Sequence, residues 1–188
     1  MCQQSNFICV ERKAQDIYGN AIKLRTITHK RSDYKEYIIS KEAFSIKRWL
    51  ILMMVFSSFA FYCEFYNTDT SYLGIFLIIL CFVLILKLHL KVKEESLLVI
   101  ASLGLQLTTT FVTGRKASQF FHRHDVYDIV INEGFFMQRI IFYLAILLQD
   151  MKDPLKISSI VPLFQYTFPR LNCLEKIYNG VQASLQTS

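Results

Sequence analysis

Glycine and proline are scarce in this chain, with six and three residues among 188. A phosphate-binding loop needs closely spaced glycines so that backbone amides can approach the anion, and no such array occurs. A G-x-S-x-G nucleophile elbow is also missing, and no cysteine and histidine are spaced as a catalytic pair. We therefore predict no catalytic residues in this chain and no bound cofactor.

The cysteines also lack a pattern. Their number is five, and none belongs to a CxxC or Cys/His spacing, so neither a disulfide framework nor a zinc site is predicted. Two of them, Cys63 and Cys81, lie inside long apolar segments. The chain start, Met1 to Gln4, has no basic or apolar signal region, and we expect no cleaved signal peptide and a largely cytosolic chain.

Charge is low for a chain that is 53% hydrophobic: 19% of residues are charged, and the net charge is +6. This excess of positive charge would favour binding to nucleic acid or to anionic lipid. The lysines and arginines are scattered, however, and are densest beside the apolar segments. We therefore expect a lipid bilayer as a partner, and no nucleic acid.

Two apolar segments, Trp49 to Cys63 and Tyr72 to Leu86, are the strongest feature of the sequence. Each is about 15 residues long and would cover roughly 22 Å as a helix, short of a ~30 Å hydrocarbon core. Extension to residues 44–90 brings both close to spanning length if the flanking lysines snorkel. We predict a transmembrane helical hairpin; buried helices of a soluble core and a re-entrant hairpin remain alternatives.

The distribution of positive charge predicts the orientation of this hairpin. The loop from Glu64 to Ser71 contains no lysine or arginine, whereas cations precede the first segment and follow the second. The positive-inside rule then places both termini in the cytosol.

After the hairpin, the hydrophobic period changes to that of strands. Short β-rich runs extend from Leu97 to Ile131, and Asn132-Glu133-Gly134 has turn chemistry. The run Ile140 to Leu148 is too short to span a membrane and favours a buried strand over a third membrane segment. Apolar residues from Leu171 to Leu185 recur at helical spacing, which predicts a final amphipathic helix on a small α+β or barrel-like domain.

One polar cluster, His122 to Asp125, could bind a ligand. In a strand His122 and His124 would share a face, but two histidines make an incomplete metal site, and no metal is predicted. Contact with a phosphate or lipid headgroup is an alternative to an ordinary solvated sheet edge. The headgroup candidates are Arg115, Lys116, His122 and Arg123.

Several motifs in order resemble one known family. Val126 to Glu133, followed by Met137-Gln138 and by Tyr143 to Leu148, resembles the PIG-H family, the H subunit of phosphatidylinositol N-acetylglucosaminyltransferase. Val161 to Gln165 and Pro169 to Leu174 are similar to a later block of that family. The resemblance covers roughly Lys93 to Val181, and the hairpin is similar only in length and hydrophobicity.

The resemblance implies a fold and a place in the cell. The expected fold class is an α+β membrane protein, with a helical transmembrane hairpin followed by a small pleckstrin-homology-like β domain closed by a C-terminal helix. The expected divisions are residues 1–43, with one or two strands that join the sheet, the hairpin at 44–90, and the cytosolic domain at 91–188. The expected location is the endoplasmic reticulum membrane.

The resemblance also implies a function. The family's complex transfers N-acetylglucosamine from its UDP-sugar to phosphatidylinositol, the first step of GPI-anchor biosynthesis. The H subunit is expected to be non-catalytic and to bind the catalytic A subunit and other subunits. The alternative is a free-standing, membrane-anchored module that binds anionic headgroups. The positions implied for the partner interface, each of which also has a structural explanation, are Asp128, Ile129, Asn132, Glu133, Gln138, Pro169, Arg170 and Leu171.

Overall fold

A computed structural model of the chain describes residues 7–29, 34–41, 51, 54–59, 61–62, 71–150 and 156–186. The chain forms two compact units. The first comprises Met1–Glu42, Val92–Thr110 and Gly114–Ser188, and the second comprises Ala43–Lys91 and Phe111–Thr113. Residues from the start of the sequence therefore share a unit with residues from its end.

A six-stranded sheet forms one side of the first unit, and its strands are neighbours in chain order. The register of β2 and β3 pairs Leu24 with Ile39, so the apolar positions of both strands lie on one face, as the two-residue period of a strand requires. The strands are β1 (Phe7–Gln15), β2 (Ala21–His29), β3 (Tyr34–Lys41), β4 (Val92–Ile100), β5 (Gly104–Phe111) and β6 (Lys116–His122).

A separate three-stranded antiparallel sheet has the order β7 (Val126–Phe136), β8 (Arg139–Gln149) and β9 (Ile157–Pro162). The turn predicted at Asn132-Glu133-Gly134 is wrong, because these residues lie within β7. The chain instead reverses at Met137 and Gln138, which have φ angles of 46° and 62°. Two successive residues of positive φ are typical of the tight turn that matches the twist of a hairpin.

The C-terminal helix, Leu171–Gln186, packs its apolar stripe against both sheets within the first unit. Leu174, Ile177 and Val181 are fully buried in one core cluster. The same cluster contains Ile39 of the six-stranded sheet and Ile146 of the three-stranded sheet. The helical spacing of these residues therefore gave the correct buried face.

The second unit contains a 20-residue helix, Ser71–Leu90, which we call α1; the C-terminal helix is α2. In the part of the chain that the structure describes, no helix is both long and apolar enough to cross a membrane. Residues 51, 54–59 and 61–62 of the first predicted segment, Trp49 to Cys63, are described and are helical, and its other residues lie outside the described part of the chain.

The predicted fold class is therefore wrong. The chain is mostly β-sheet with a C-terminal helix, and it shows no helical transmembrane hairpin among its described residues. The prediction relied on flanking lysines that snorkel to lengthen two short apolar segments. The cytosolic placement of both termini, which was inferred from that hairpin, stays a prediction.

Candidate functional site

Asp128 and Ile129 are the first of the predicted interface residues along the chain. They lie just after a bulge at the start of β7. The Asp128 carboxylate accepts a hydrogen bond from the Gln182 side chain of α2 at 2.7 Å and one from the Ile129 backbone N–H at 2.7 Å. Ile129 has no exposed surface. These two residues therefore fasten β7 to α2, and Ile129 can affect a partner only through the shape of the sheet.

Asn132, Glu133 and Gln138 are exposed, and they lie farther along β7 and in its turn. The Asn132 side chain donates to the Tyr143 hydroxyl at 3.3 Å, across the strand pair, and accepts from the Glu133 backbone N–H. Gly134 lies beneath the ring of Tyr143, where a Cβ would come within 3.2 Å of the ring. Among the predicted interface residues on β7 and in the turn after it, Asn132, Glu133 and Gln138 have side chains that a partner can contact directly.

Pro169, Arg170 and Leu171 form the entry to α2, and the first two contact the end of β1 and the turn that follows it. Pro169 is buried and forms an isolated β-bridge with Asp16. The Arg170 guanidinium donates through Nε to the Asp16 backbone oxygen at 3.0 Å, while its own carbonyl accepts from the first turn of the helix. The entry to α2 is therefore fixed by the first hairpin of the chain.

Asp16 itself is 1% exposed, and its carboxylate organises that hairpin turn. It accepts from the backbone N–H groups of Tyr18 and Asn20 at 2.8 Å and from the Asn20 side chain at 2.9 Å. Aspartate commonly stabilises turns in this way, because its short side chain reaches the backbone two to four residues on. Asp16 thus positions the backbone that Arg170 contacts.

Glu95 is a second buried carboxylate, and it supports the connection between β9 and α2. It accepts from the Thr167 backbone N–H at 3.0 Å, from the Thr167 hydroxyl at 2.7 Å and from the Tyr166 N–H at 3.4 Å. Burial raises the pKa of the Glu95 carboxyl, and the hydrogen bonds from Thr167 lower it in part. The same connection holds Phe164 and Phe168 at positive φ.

Two contacts define how α2 lies along β7. The rings of Phe136 and Phe168 are 5.1 Å apart near the start of the helix, whereas Gln182 bonds Asp128 near its end. The helix therefore runs along the strand, from the turn of β7–β8 toward the bulge. The structure brings the predicted residues onto this one helix–strand assembly, with Asp128 at one end and Pro169 to Leu171 at the other.

The four headgroup candidates are not brought together. Arg115 and Lys116 precede or begin β6, whereas His122 ends it, so the two pairs are separated by about 20 Å of extended strand. Arg123 donates weakly to the Val126 carbonyl at 3.4 Å. Residues 123–125 form a turn, so His124 does not share a strand face with His122. No cluster of three metal-ligating side chains occurs among the described residues.

Sequence reasoning missed both buried carboxylates and strand β1. The segment Asp16-Ile17-Tyr18-Gly19-Asn20 has the composition of a tight turn, and that signal could have predicted the first hairpin. Strand β1 gave a weak signal because its apolar residues Ile8 and Val10 are themselves exposed. Nothing local to Glu95 indicates burial, since its hydrogen-bond partners are 71 and 72 residues away.

The segment that contains most of the predicted site residues is similar to known proteins. A family model described as "GPI-GlcNAc transferase complex, PIG-H component" matches residues 96–165. Residues 96–165 are therefore similar to a PIG-H domain. This segment begins within β4, includes β5 to β9 and contains the β7 and headgroup candidates, whereas Pro169 to Leu171 follow it.

The PIG-H match is supported by individual proteins. The chain is 45% identical over 95 residues to the H subunit of phosphatidylinositol N-acetylglucosaminyltransferase of Homo sapiens, which covers 50% of each chain. The proteins of the same name from Bos taurus and Mus musculus are each 43% identical over 95 residues, again 50% of each chain. The resemblance seen in the motifs is confirmed, although the chain spans about half the length of these relatives. No solved structure matches.

Proposed function

We propose that this chain is an accessory subunit of the complex that transfers N-acetylglucosamine from UDP-GlcNAc to phosphatidylinositol, in the first step of GPI-anchor biosynthesis. The observation that carries this proposal is the 45% identity over 95 residues to the human H subunit. Its partners are then the other subunits of the complex, and its location is the endoplasmic reticulum.

We further propose that the catalytic residues belong to another chain of that complex. Both buried carboxylates, Asp16 and Glu95, accept hydrogen bonds that hold a turn or a connection in place. Ser184 and Thr167, the other buried polar residues of the described chain, also form hydrogen bonds. A buried polar group whose hydrogen-bonding capacity is used structurally is poorly available for acid or base chemistry. This use of the buried polar groups supports a scaffolding role.

Two exposed polar residues of β7, Asn132 and Glu133, are the positions at which we propose that a catalytic glycosyltransferase chain binds. Asn132 and Glu133 are exposed on β7, which the Gln182–Asp128 hydrogen bond fastens to α2. A strand that is already attached loses less conformational freedom on binding than a free segment does. The buried candidates, Ile129 and Pro169, would then preserve the shape of this surface without contacting the partner.

The test is recovery of the transferase with the tagged full-length chain, and restoration of N-acetylglucosaminyl-phosphatidylinositol synthesis in cells that lack their own H subunit. We expect Glu133→Lys to lower transferase recovery at least about fivefold, as loss of an important contact does. The matched control is Glu175→Lys, because Glu175 is an exposed glutamate of α2 outside the proposed surface.

The outcomes separate the two parts of the proposal. If the unaltered chain recovers no transferase and restores no synthesis, the proposed function is wrong. If Glu133→Lys and Glu175→Lys both behave like the unaltered chain, the function stands and the proposed β7 surface is wrong.

A further inference from the structure

The outer half of the β7–β8 hairpin extends beyond the three-stranded sheet. Strand β9 pairs with β8 only from Ala145 to Gln149, whereas β7 and β8 continue to pair as far as Phe136 and Arg139. Residues 132–143 therefore form a two-stranded ribbon. A ribbon of this kind buries little of its own surface, since each strand has only one neighbour.

The end of this ribbon, residues 135–142, is strongly apolar, and all of its side chains except that of Ile141 are exposed. Phe135 is 88% exposed, Met137 76% and Ile140 61%. Phe136 and Phe142 are each 37% exposed. Apolar side chains so exposed and so close together are uncommon on a monomeric soluble surface, and they indicate contact with another apolar phase or molecule.

The register explains how this surface arises. Ile129 pairs with Ile146, and the next three pairs on the same face are Ile131–Leu144, Glu133–Phe142 and Phe135–Ile140. Successive pairs two residues apart share a face, and the first of these lies in the core. The core-facing side of the hairpin thus continues outward, past the core, as an apolar strip.

The outermost charge on the ribbon is positive. Arg139 pairs with Phe136 beside the turn, is exposed, and lies 5.8 Å from the ring centre of Tyr18. Glu133, the acidic residue of the strip, lies two residues behind Phe135, about 7 Å along the strand. The whole chain carries a net charge of +6, so an anionic surface would be attracted to it.

We propose that the ribbon end enters the interfacial region of an anionic phospholipid bilayer. Phe135 and Ile140 project from the core-facing strip and Met137 lies in the turn, so a fluid apolar medium can cover the strip and the turn together. On the opposite face, Phe136 packs on Phe168. The inward-facing backbone groups of both strands are paired within the hairpin, and the interfacial region still holds water for the outward-facing ones. Arg139 and Tyr143 have the polar ends and apolar stems that suit the headgroup level.

A single-tryptophan reporter tests this proposal on the full-length chain. Trp49 is the one native tryptophan, so Phe135→Trp in a Trp49→Phe background reports from the ribbon end alone. Vesicles of phosphatidylcholine with phosphatidylserine, carrying brominated acyl chains, should shift its emission to the blue and quench it. Ile140→Trp in the same background is a second reporter on the same face, for use if the first does not fold.

The matched control is Ile157→Trp in the same background, because Ile157 is 49% exposed on β9, outside the ribbon. Brominated lipid should leave it unquenched. Arg139→Gln, added to the Phe135→Trp reporter, should raise the lipid concentration for half-maximal quenching about fivefold in vesicles that contain phosphatidylserine. It should leave quenching by phosphatidylcholine vesicles unchanged.

Three results would overturn the proposal. The first is emission from Phe135→Trp that no vesicle quenches; the second is equal quenching of the Ile157→Trp control. The third is a blue shift that develops with protein concentration in the absence of lipid, which would show that a second copy of the chain covers the ribbon end. The proposal does not depend on the proposed transferase partner, whose failure to bind would leave the quenching unchanged.

Discussion

Glu95 lies on the core side of β4, on the same face of the strand as Lys93 and Leu97. Its carboxylate is almost completely buried. Three hydrogen bonds from Tyr166 and Thr167 compensate for the loss of water around it. Removing a partner from such a group costs more than the net value of the bonds, because the carboxylate would stay buried and unsatisfied. We therefore expect Thr167→Val to destabilise the fold by about 1–3 kcal/mol.

The burial of Glu95 should also make the free energy of unfolding depend on pH. Because the folded-state pKa of Glu95 is raised above its ordinary value of 4.5, the folded state binds this proton more tightly than the unfolded state does. The stabilisation is complete below the unfolded-state pKa and is lost as pH rises through the folded-state pKa. The loss can reach at most about 1.4 kcal/mol per pH unit for one proton.

Urea denaturation of the chain and of Glu95→Gln between pH 4 and pH 8 checks this prediction. The free energy of unfolding of the unaltered chain, relative to that of the variant, should fall as pH rises. Glu94→Gln is the control, because Glu94 is the adjacent glutamate on the other face of β4. Parallel pH curves for the chain and Glu95→Gln would contradict the prediction.

Cys173 offers a second prediction at the level of single residues. It is buried in the first turn of α2, and burial raises the pKa of its thiol to about 11. Since the thiolate is the reactive form, its fraction at pH 8 should be roughly 100-fold lower than that of an ordinary exposed thiol. Cys173 should therefore react with a thiol reagent only when the chain unfolds.

Labelling of single-cysteine variants tests the difference. A chain that retains only Cys9, which is exposed on β1, should react quickly in the folded state. Comparable rates for the Cys9 and Cys173 variants in native buffer would show that the start of α2 opens readily.

At the level of elements, α2 contains a glycine where helix propensity disfavours it. A Cβ at Gly180 would overlap the hydroxyl of Tyr37. The Tyr37 side chain is buried where β3 meets α2. Glycine in a helix interior costs roughly 1 kcal/mol relative to alanine. The close approach of α2 to β3 therefore explains why this position lacks a side chain.

Gly180→Ala should consequently destabilise the protein by about 1–3 kcal/mol, although helix propensity alone predicts the opposite sign. Tyr37→Phe removes the overlapping hydroxyl and should restore part of that loss in the double variant. Thermal unfolding of the two single variants and the double variant measures the coupling. Asn179→Ala, at an exposed helix position, is the control and should be neutral or stabilising.

Some elements could be predicted from the sequence because their signals are local. Alternation in Ala21 to Thr28 and the apolar spacing of α2 each indicate one buried face, and the structure buries that face. The turn at Met137 and Gln138 could not be predicted, since neither residue favours positive φ and Gly134 offered a better local candidate.

At the scale of the whole molecule, the first strands are required for the core. Ile22, Leu24, Tyr37 and Ile39 all belong to the same buried cluster as α2. Without them, β4 loses the strand that pairs with one of its edges, and α2 loses part of its contact surface. The segment 96–165 that matches the PIG-H family therefore carries only part of the core around which it folds.

We expect residues 91–188, expressed alone, to lack a stable fold, because large buried side chains such as Ile39 contribute about 1.5–3 kcal/mol each. Resistance to protease and a cooperative thermal transition would measure this. A fusion of residues 7–41 to residues 91–188 through a flexible linker is the matched comparison and should regain both properties. A cooperative transition of residues 91–188 alone would show that the N-terminal strands are dispensable.

The contact between Asp16 and Arg170 joins residues 154 positions apart. On the ribosome, the β1–β2 hairpin emerges long before the entry to α2 that it contacts. The apolar faces of β2 and β3 must therefore wait, partly uncovered, until α2 has been synthesised, and long-range pairing of this kind slows folding. During that interval the nascent chain exposes the same surface that promotes aggregation, so its maturation should depend on chaperones that bind unfolded strands.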